Sequence, residues 1–367
     1  MPQNTLHQTY PWISPSKPPL ASAPMLNIAT AKLAISVSNA GGIGFIAGGY
    51  NLSGLSTELI NASKQTTSLH PTNPLPAFYT DTGLLPLGVG FLNWGADRAQ
   101  AISILKEHPP AAVWLFAPTN MPDDLLEWVN EIRAITPRSN TTSKTQQRIQ
   151  IWVQMGTVHE ALSTQQTLHP DVMVAQGSDA GGHGLARSAS LMTLLPEICS
   201  TLPELTQTPI LAAGGISTGR SLAAALALGA VGAVMGTRFL ACAEANIATG
   251  YQREILRATD GGTSTVRSTV YDSVRGIHGW PGRYDGRGLV NRSYIDAVEG
   301  GMDDEENRRL YRLEIAKGDD GWGPRGRMTT YAGTGVGLVN RVLSADEILG
   351  EVWEGMKGVI EGLTAWQ

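Results

Sequence analysis

The chain has 367 residues, of which 42% are hydrophobic and 16% charged, with a formal net charge of −5 at neutral pH. This balance is typical of a globular enzyme with a substantial core, and it argues against a surface that binds nucleic acid. No segment approaches about 18 uninterrupted apolar residues and the N-terminus does not resemble a signal peptide, so we expect neither a membrane span nor secretion.

Eight short apolar segments rich in Val, Ile and Leu, most of them separated by helix-compatible stretches, predict parallel strands covered by helices. The predicted strands lie in segments 20–26, 41–49, 85–93, 111–118, 149–157, 171–179, 209–217 and 232–240. The predicted helices lie in segments 27–40, 94–108, 121–136, 157–168, 189–202 and 217–230. Eight such units favour a closed (β/α)₈ TIM barrel. A doubly wound open sheet is the alternative, although the second strand is not followed by a GxGxxG fingerprint.

Two segments interrupt the strand and helix alternation. The polar stretch 136–148 is predicted to be a surface loop. The second interruption follows the eighth strand and is long enough for a lid or small domain above the C-terminal face of the barrel. We therefore predict a barrel over 1–245, a lid or substrate-binding excursion over 246–338, and a C-terminal helix over 339–367 that returns to the barrel. Ser344 and Glu347 form a capping-box pattern at the start of that helix.

Glycines follow the seventh and eighth strands, where barrels commonly bind phosphate through backbone N–H groups. Gly214 and Gly215 end the seventh strand, and Gly236 and Thr237 follow the eighth. Together they predict a phosphate site, although each pair alone is also compatible with ordinary turn glycines. Such a site indicates a phosphorylated substrate or flavin mononucleotide (FMN).

The ends of other strands favour the flavin. Pro24 and Met25 follow the first strand and offer a rigid, apolar surface for a flat ring. Asn93 and Gln154 end two further strands, and their amides are suited to the polar edge of such a ring. Either amide can instead be a strand-capping group.

The segment "VAQGSDAGGHG", residues 174–184, contains one ionisable side chain among its glycines, His183. Small neighbours leave room for a substrate, and an imidazole can accept a proton near neutral pH. A loop histidine bonded to the backbone is the structural alternative. The position after the sixth strand, on the C-terminal face of the barrel, favours a functional role.

Other chemistries lack their sequence patterns. The remaining histidines show no HxH or HExxH spacing, so no metal site is predicted, and no GxSxG segment indicates a serine hydrolase. Cys199 and Cys242 lie in apolar contexts, which predicts reduced core thiols of a cytoplasmic protein. The stretch 274–292 alternates arginines with aromatic residues and indicates a covering loop beside an anionic ligand rather than a nucleic-acid surface.

Several motifs together resemble the nitronate monooxygenase (2-nitropropane dioxygenase) family, most of all its fungal members. They are "APM" at 23–25, "NAGGIGFI" at 39–46, "GVGFLNW" at 88–94, "QGSDAGGHG" at 176–184, "LAAGGISTGRSLAAALALGA" at 211–230 and "MGTRFLACAEA" at 235–245. The resemblance implies a TIM barrel with noncovalently bound FMN and a smaller domain over the site. It also implies oxidation of alkyl nitronates, and of nitroalkanes, by FMN and O₂ to a carbonyl compound and nitrite.

The resemblance also implies roles for individual residues. His183 takes the position of the catalytic base that removes the α-proton of a neutral nitroalkane. The flavin ring would be lined by Ala23, Pro24, Met25 and Gly181, its polar edge would be contacted by Asn93 and Gln154, and its phosphate would be held by Gly214, Gly215, Gly236 and Thr237. The resemblance transfers no pocket residues to the long arginine-rich excursion, where the aromatic residues Trp280, Tyr284, Trp322 and Tyr331 are candidates for the lid.

Alternatives remain open at this point. Related flavin barrels include NAD(P)H-dependent quinone and enoyl-thioester reductases, and the scaffold also suits a tailoring flavoenzyme of secondary metabolism. A flavin-binding protein without chemistry is a further alternative. The expected partners are a small-molecule substrate and O₂, and a homodimer is one alternative for the oligomeric state.

Overall fold

The computed structural model describes residues 6–136, 147–202 and 208–364. Its strands are, in chain order, β1 (Leu20–Ser22), β2 (Phe45–Gly49), β3 (Leu85–Leu92), β4 (Pro110–Phe116), β5 (Gln150–Met155), β6 (Val172–Gln176), β7 (Gly182–Leu185), β8 (Ile210–Ala213), β9 (Gly232–Met235), β10 (Thr265–Ser268) and β11 (Tyr284–Leu289). The predicted loop over 136–148 falls almost entirely on 137–146, outside the described residues.

Eight of these strands form one parallel sheet in the order β1-β9-β8-β6-β5-β4-β3-β2. Its two outer strands meet through Ile43, which precedes β2: the Ile43 N–H donates to Leu20 O at 2.9 Å, and Ser22 N–H donates to Ile43 O at 3.1 Å. These bonds close the sheet into the predicted (β/α)₈ barrel and exclude the doubly wound alternative. Seven of the eight predicted segments contain one barrel strand, and β4 begins one residue before its segment. The end of the segment 232–240, predicted as strand, is helical over Thr237–Leu240.

The helices are α1 (Leu6–Thr9), α2 (Ala31–Asn39), α3 (Leu55–Thr67), α4 (Pro74–Thr82), α5 (Arg98–Glu107), α6 (Leu126–Arg133), α7 (Val158–Leu168), α8 (Leu191–Thr201), α9 (Gly219–Ala227), α10 (Thr237–Leu240), α11 (Thr249–Arg257), α12 (Gly261–Ser264), α13 (Val270–Arg275), α14 (Arg292–Val298), α15 (Asp304–Ile315) and α16 (Ala345–Thr364). Three 3₁₀ segments, Asp123–Leu125, Gly318–Gly321 and Thr334–Leu338, accompany them in the described ranges. Each of the six predicted helix segments contains one of these helices, while α3 and α4 were not predicted. None of the described helices is both long and apolar enough to cross a membrane.

The last helix completes the outer layer. Ser344 and Glu347 form the predicted capping box, because the Ser344 N–H donates to the Glu347 carboxylate at 2.8 Å and Ser344 Oγ accepts from the Glu347 N–H at 3.3 Å. α16 then packs against α9 and α2. At Gly219 of α9 a side chain would collide with the backbone of Gly355 and Met356, so the two helices approach closely. The final helix therefore packs on the outer helices of the barrel.

The second sheet is antiparallel and has the strand order β10-β11-β7. Its strands β10 and β11 belong to the chain between the barrel and α16. β7 is not part of the excursion, since it follows β6 directly, and its His183 pairs with Gly286 of β11. The glycine segment around His183 is thus an edge strand of this small sheet rather than an isolated loop. This pairing joins the C-terminal end of β6 to the segment 246–338, which is called the covering segment below.

A hydrogen bond between two aromatic side chains of the barrel core, Tyr10 and Trp152, is expected to contribute to the free energy of unfolding. Tyr10 is fully buried, and its hydroxyl accepts a hydrogen bond from Trp152 Nε1 at 2.9 Å. Tyr10→Phe should leave that indole N–H without a partner, which costs about 1–3 kcal/mol of unfolding free energy. Urea denaturation would measure the loss. Unchanged stability would show that the bond contributes nothing net.

Candidate functional site

A cavity of about 430 Å³ lies at the C-terminal ends of the barrel strands. Its size is within the range of small-molecule and cofactor sites. Residues from the loops after β1, β8 and β9 line one part, and residues of the 246–338 excursion line the other. The cavity is therefore enclosed jointly by the barrel and by the segment above it.

All but one of the predicted site residues line this cavity. They are Ala23, Pro24, Met25, Gln154, Gly181, His183, Gly214, Gly215, Gly236 and Thr237. The exception is Asn93, whose Oδ1 accepts a hydrogen bond from Phe116 N–H at 2.7 Å. This contact matches the strand-capping alternative for Asn93, and its side chain is not part of the cavity lining.

The segment after β1 forms an apolar wall. Ala23 N–H donates to Met235 O at 2.9 Å, which fixes the segment to the barrel. The Pro24 ring lies against Gly90 of β3, where a side chain would collide with it. A glycine on β3 is therefore needed to let Pro24 enter the barrel mouth beside Met25.

Gln154 presents an unsatisfied donor at the cavity. Its Oε1 accepts from Trp114 Nε1 at 3.1 Å, and its Nε2 is buried with no hydrogen-bond partner in the described part of the chain. A buried donor without a partner costs about 1–3 kcal/mol. A ligand acceptor at this position would recover that cost.

One end of the cavity is lined by Gly214, Gly215, Gly236 and Thr237, which are called the glycine cradle below. Gly214 and Gly215 have φ values of +112° and +72°, which residues other than glycine rarely adopt. Gly236 follows the neighbouring strand β9, and Thr237 begins α10 directly after it. Thr218 caps α9, its Oγ1 accepting from Ser221 N–H. The small side chains allow a ligand to approach the backbone closely.

The covering segment contacts this glycine end directly. Thr237 Oγ1 accepts from Gly333 N–H at 2.9 Å, and Thr334 Oγ1 donates to Asp179 Oδ1 at 3.0 Å. At Gly181 a side chain would collide with the backbone of Ala332 and Gly333. Gly181 is thus a packing requirement of the covering segment as well as part of the cavity lining.

His183 forms a buried pair that the sequence did not reveal. Its Nε2 lies 2.8 Å from Asp272 Oδ2, and the two side chains are only 11% and 8% exposed. The other carboxylate oxygen, Oδ1, accepts from the Tyr331 hydroxyl at 3.1 Å. Asp272 is 89 residues away in sequence, on α13, and no motif or spacing connects it to the histidine.

Aromatic side chains of the covering segment surround the same imidazole. The Trp280 ring stacks on His183 with centroids 3.7 Å apart and planes 4° from parallel, and Tyr331 packs at 5.3 Å. Of the four predicted lid residues, Trp280, Trp322 and Tyr331 line the cavity. Tyr284 instead packs on Phe116.

Two further side chains near His183, those of Tyr331 and Arg275, have shifted pKa values. Burial, and then the negative charge of Asp272, raise the pKa of Tyr331 well above its ordinary value, so its hydroxyl stays a donor at neutral pH. Burial alone would lower the pKa of Arg275, but Tyr331 and Asp272 outweigh it and raise that pKa. Arg275 therefore lines the cavity as a cation.

No group of three or more His, Cys, Asp or Glu side chains suited to a metal ion is found within the described ranges. Cys199 and Cys242 are both free thiols, and burial raises the pKa of each. The chemistry of the cavity therefore centres on His183, the unpaired amide and the glycine cradle.

A closed (β/α)₈ barrel with a covered cavity at its C-terminal face and a buried histidine in that cavity defines an enzyme site of the TIM-barrel class. The sequence comparisons specify the family. Residues 127–355 match the model of the family described as nitronate monooxygenase. The chain belongs to this family of oxidoreductases.

Two fungal relatives extend the match over nearly the whole chain. Nitronate monooxygenase npaC of Metarhizium robertsii is 39% identical over 99% of this chain and 97% of its own. A nitronate monooxygenase of Neurospora crassa is 36% identical over 99% and 96%. Both confirm the predicted resemblance to fungal members.

Solved structures show the same fold at lower identity. Nitroalkane oxidase from Streptomyces ansochromogenes superposes with a TM-score of 0.71 at 22% identity, covering 98% of this chain and 100% of that one. FabK from Thermotoga maritima gives 0.69 at 21% identity, with 99% and 98% coverage. At these identities the likeness extends to the barrel fold alone.

Proposed function

We propose that this protein oxidises alkyl nitronates with FMN and O₂ to a carbonyl compound and nitrite, and that His183 is the base that lets it also accept neutral nitroalkanes. The observation that carries the proposal is one cavity containing both His183 and the glycine cradle. Family membership supplies the class of reaction.

The residues present fit a flavin mononucleotide. Gly214, Gly215, Gly236 and Thr237 would hold the phosphate, and Ala23, Pro24 and Met25 would lie along the ring. The unpaired Nε2 of Gln154 would donate to the polar edge of the ring. Bound FMN would supply the redox chemistry between the nitronate and O₂. Asn93 is left out of this set because its side chain does not line the cavity, although its Nδ2, like the Nε2 of Gln154, is buried without a partner in the described residues.

The chain itself contributes the proton transfer and the shelter from water. A nitronate already lacks its α-proton, so only a neutral nitroalkane needs His183 to accept one. Trp280, Trp322 and Tyr331 cover this part of the cavity and limit water access. We propose that the excursion over 246–338 acts as the substrate-binding lid of the barrel over 1–245.

The test is anaerobic mixing of the FMN-loaded protein with ethyl nitronate, NADH or NADPH. We expect ethyl nitronate to change the visible absorption of the flavin quickly and both nicotinamides to act slowly. Rapid bleaching by NADH or NADPH without any response to the nitronate would favour the reductase alternative. Cytoplasmic location and a homodimer stay predictions.

A further inference from the structure

The Asp272 contact decides which nitrogen of His183 is available as a base. An ionised carboxylate only accepts hydrogen bonds, so the Nε2 that lies 2.8 Å from Asp272 Oδ2 must carry the hydrogen. The lone pair of the neutral ring is then on Nδ1. Tyr331 donates to the other carboxylate oxygen at 3.1 Å and holds the carboxylate in place.

The imidazole has little freedom to turn away from this arrangement. Its ring is stacked on Trp280, and the backbone O of His183 accepts from Gln176 Nε2 at 3.0 Å. The backbone is fixed further by the pairing of His183 with Gly286 in β11. Contacts from the barrel and from the covering segment therefore restrain the ring in one orientation.

We propose that Asp272 is the positioning residue of His183, which fixes the Nε2–H tautomer so that Nδ1 receives the α-proton of a nitroalkane. In this step the substrate C–H bond breaks, its electron pair forms the C=N bond of the nitronate, the π pair of one N=O bond moves onto that oxygen, and a new N–H bond forms at Nδ1. The resulting imidazolium is stabilised by the Asp272 carboxylate and by the face of Trp280. The inference rests on the proposed function.

The kinetic test compares Asp272→Asn with the wild-type holoenzyme on nitroethane and on ethyl nitronate. We expect the kcat/KM for nitroethane to fall by about 10²-fold to 10⁴-fold, because an amide can donate to Nε2 and favour the wrong tautomer. Turnover of ethyl nitronate should be largely retained. Asp304→Asn is the matched control: Asp304 accepts from Ser273 Oγ at 2.8 Å next to α13, but does not contact His183. It should alter neither activity.

A second measurement does not depend on turnover. NMR of protein labelled with ¹⁵N at histidine reports the tautomer of each ring, and the signal missing in His183→Asn identifies His183. Wild type should show the Nε2–H form, and Asp272→Asn should shift His183 towards the Nδ1–H form. If Asp272→Asn does not fold, Asp272→Ser is measured in the same way.

The outcomes separate the two proposals. An unchanged tautomer in a folded Asp272 variant, or an equal loss on both substrates, would overturn the positioning role. If wild type turns over neither substrate, the proposed function fails, whereas the tautomer measurement still decides the role of the carboxylate. A selective loss on nitroethane together with a tautomer shift supports both.

Discussion

Replacing His183 with asparagine is expected to lower kcat/KM for nitroethane by about 10²-fold to 10⁴-fold while leaving much of the ethyl nitronate activity. The reason is that only the neutral nitroalkane has an α-proton to lose. Asparagine keeps a polar side chain of similar size in the cavity but cannot accept and carry a proton at neutral pH. Steady-state rates of O₂ consumption with both substrates measure the effect.

The matched control for this substitution is His159→Asn, since His159 is exposed on the outer helix α7 and does not line the cavity. It should retain both activities. If His183→Asn lost nitronate and nitroalkane turnover to the same extent, the histidine would be needed for binding or folding rather than for proton removal. Flavin content of each variant, read from its absorption, separates these explanations.

The second large effect is expected at the glycine end of the cavity. Gly236 has a φ of −105°, which any residue can adopt, and the nearest atom to an added Cβ is 3.7 Å away. Gly236→Asp therefore introduces a negative charge at a position where both the backbone conformation and the added Cβ are accommodated. Two like charges about 4 Å apart in a partly screened site repel by about 4 kcal/mol. We expect the Kd for FMN to rise at least about a hundredfold.

Two comparisons make this result specific for the phosphate. Gly236→Ala should weaken FMN binding much less than Gly236→Asp, because a methyl group carries no charge and its Cβ would have no protein atom closer than 3.7 Å. Riboflavin lacks the phosphate, so its weaker binding should differ little between wild type and Gly236→Asp. Titration of flavin-free protein with each flavin, followed by fluorescence quenching, measures both affinities. A variant with normal FMN affinity would place the phosphate elsewhere.

Much of the barrel was predictable because its strands are buried on both faces. Such strands are continuous apolar runs, and each of the eight runs was followed by glycine or polar turn residues that mark the strand end. The site residues at those ends, including Gln154 and Gly214, were predictable because barrel geometry brings successive strand ends to the same face. These residues therefore lie close together however far apart they are in the sequence.

Other elements were missed for local reasons. The helix α3 is mostly polar, with only Leu55, Leu59, Ala62 and Thr66 buried, so its apolar face is short. The helix α4 begins at Pro74 and resembles a turn in composition, although proline suits the first helical position after an Asn73 cap. Asn93 was predicted with Gln154 because both end strands, but their amides point to different partners.

The barrel, its glycine-lined strand ends and the one histidine among them could be predicted from the sequence, because they depend on local composition that is repeated at each strand. The surroundings of that histidine depend instead on how distant segments pack together. Asp272, Trp280 and Tyr331 reach His183 because β7 pairs with β11, which folds the covering segment over the barrel mouth. Contacts between residues so distant in the chain follow from this packing and leave no local pattern in one sequence.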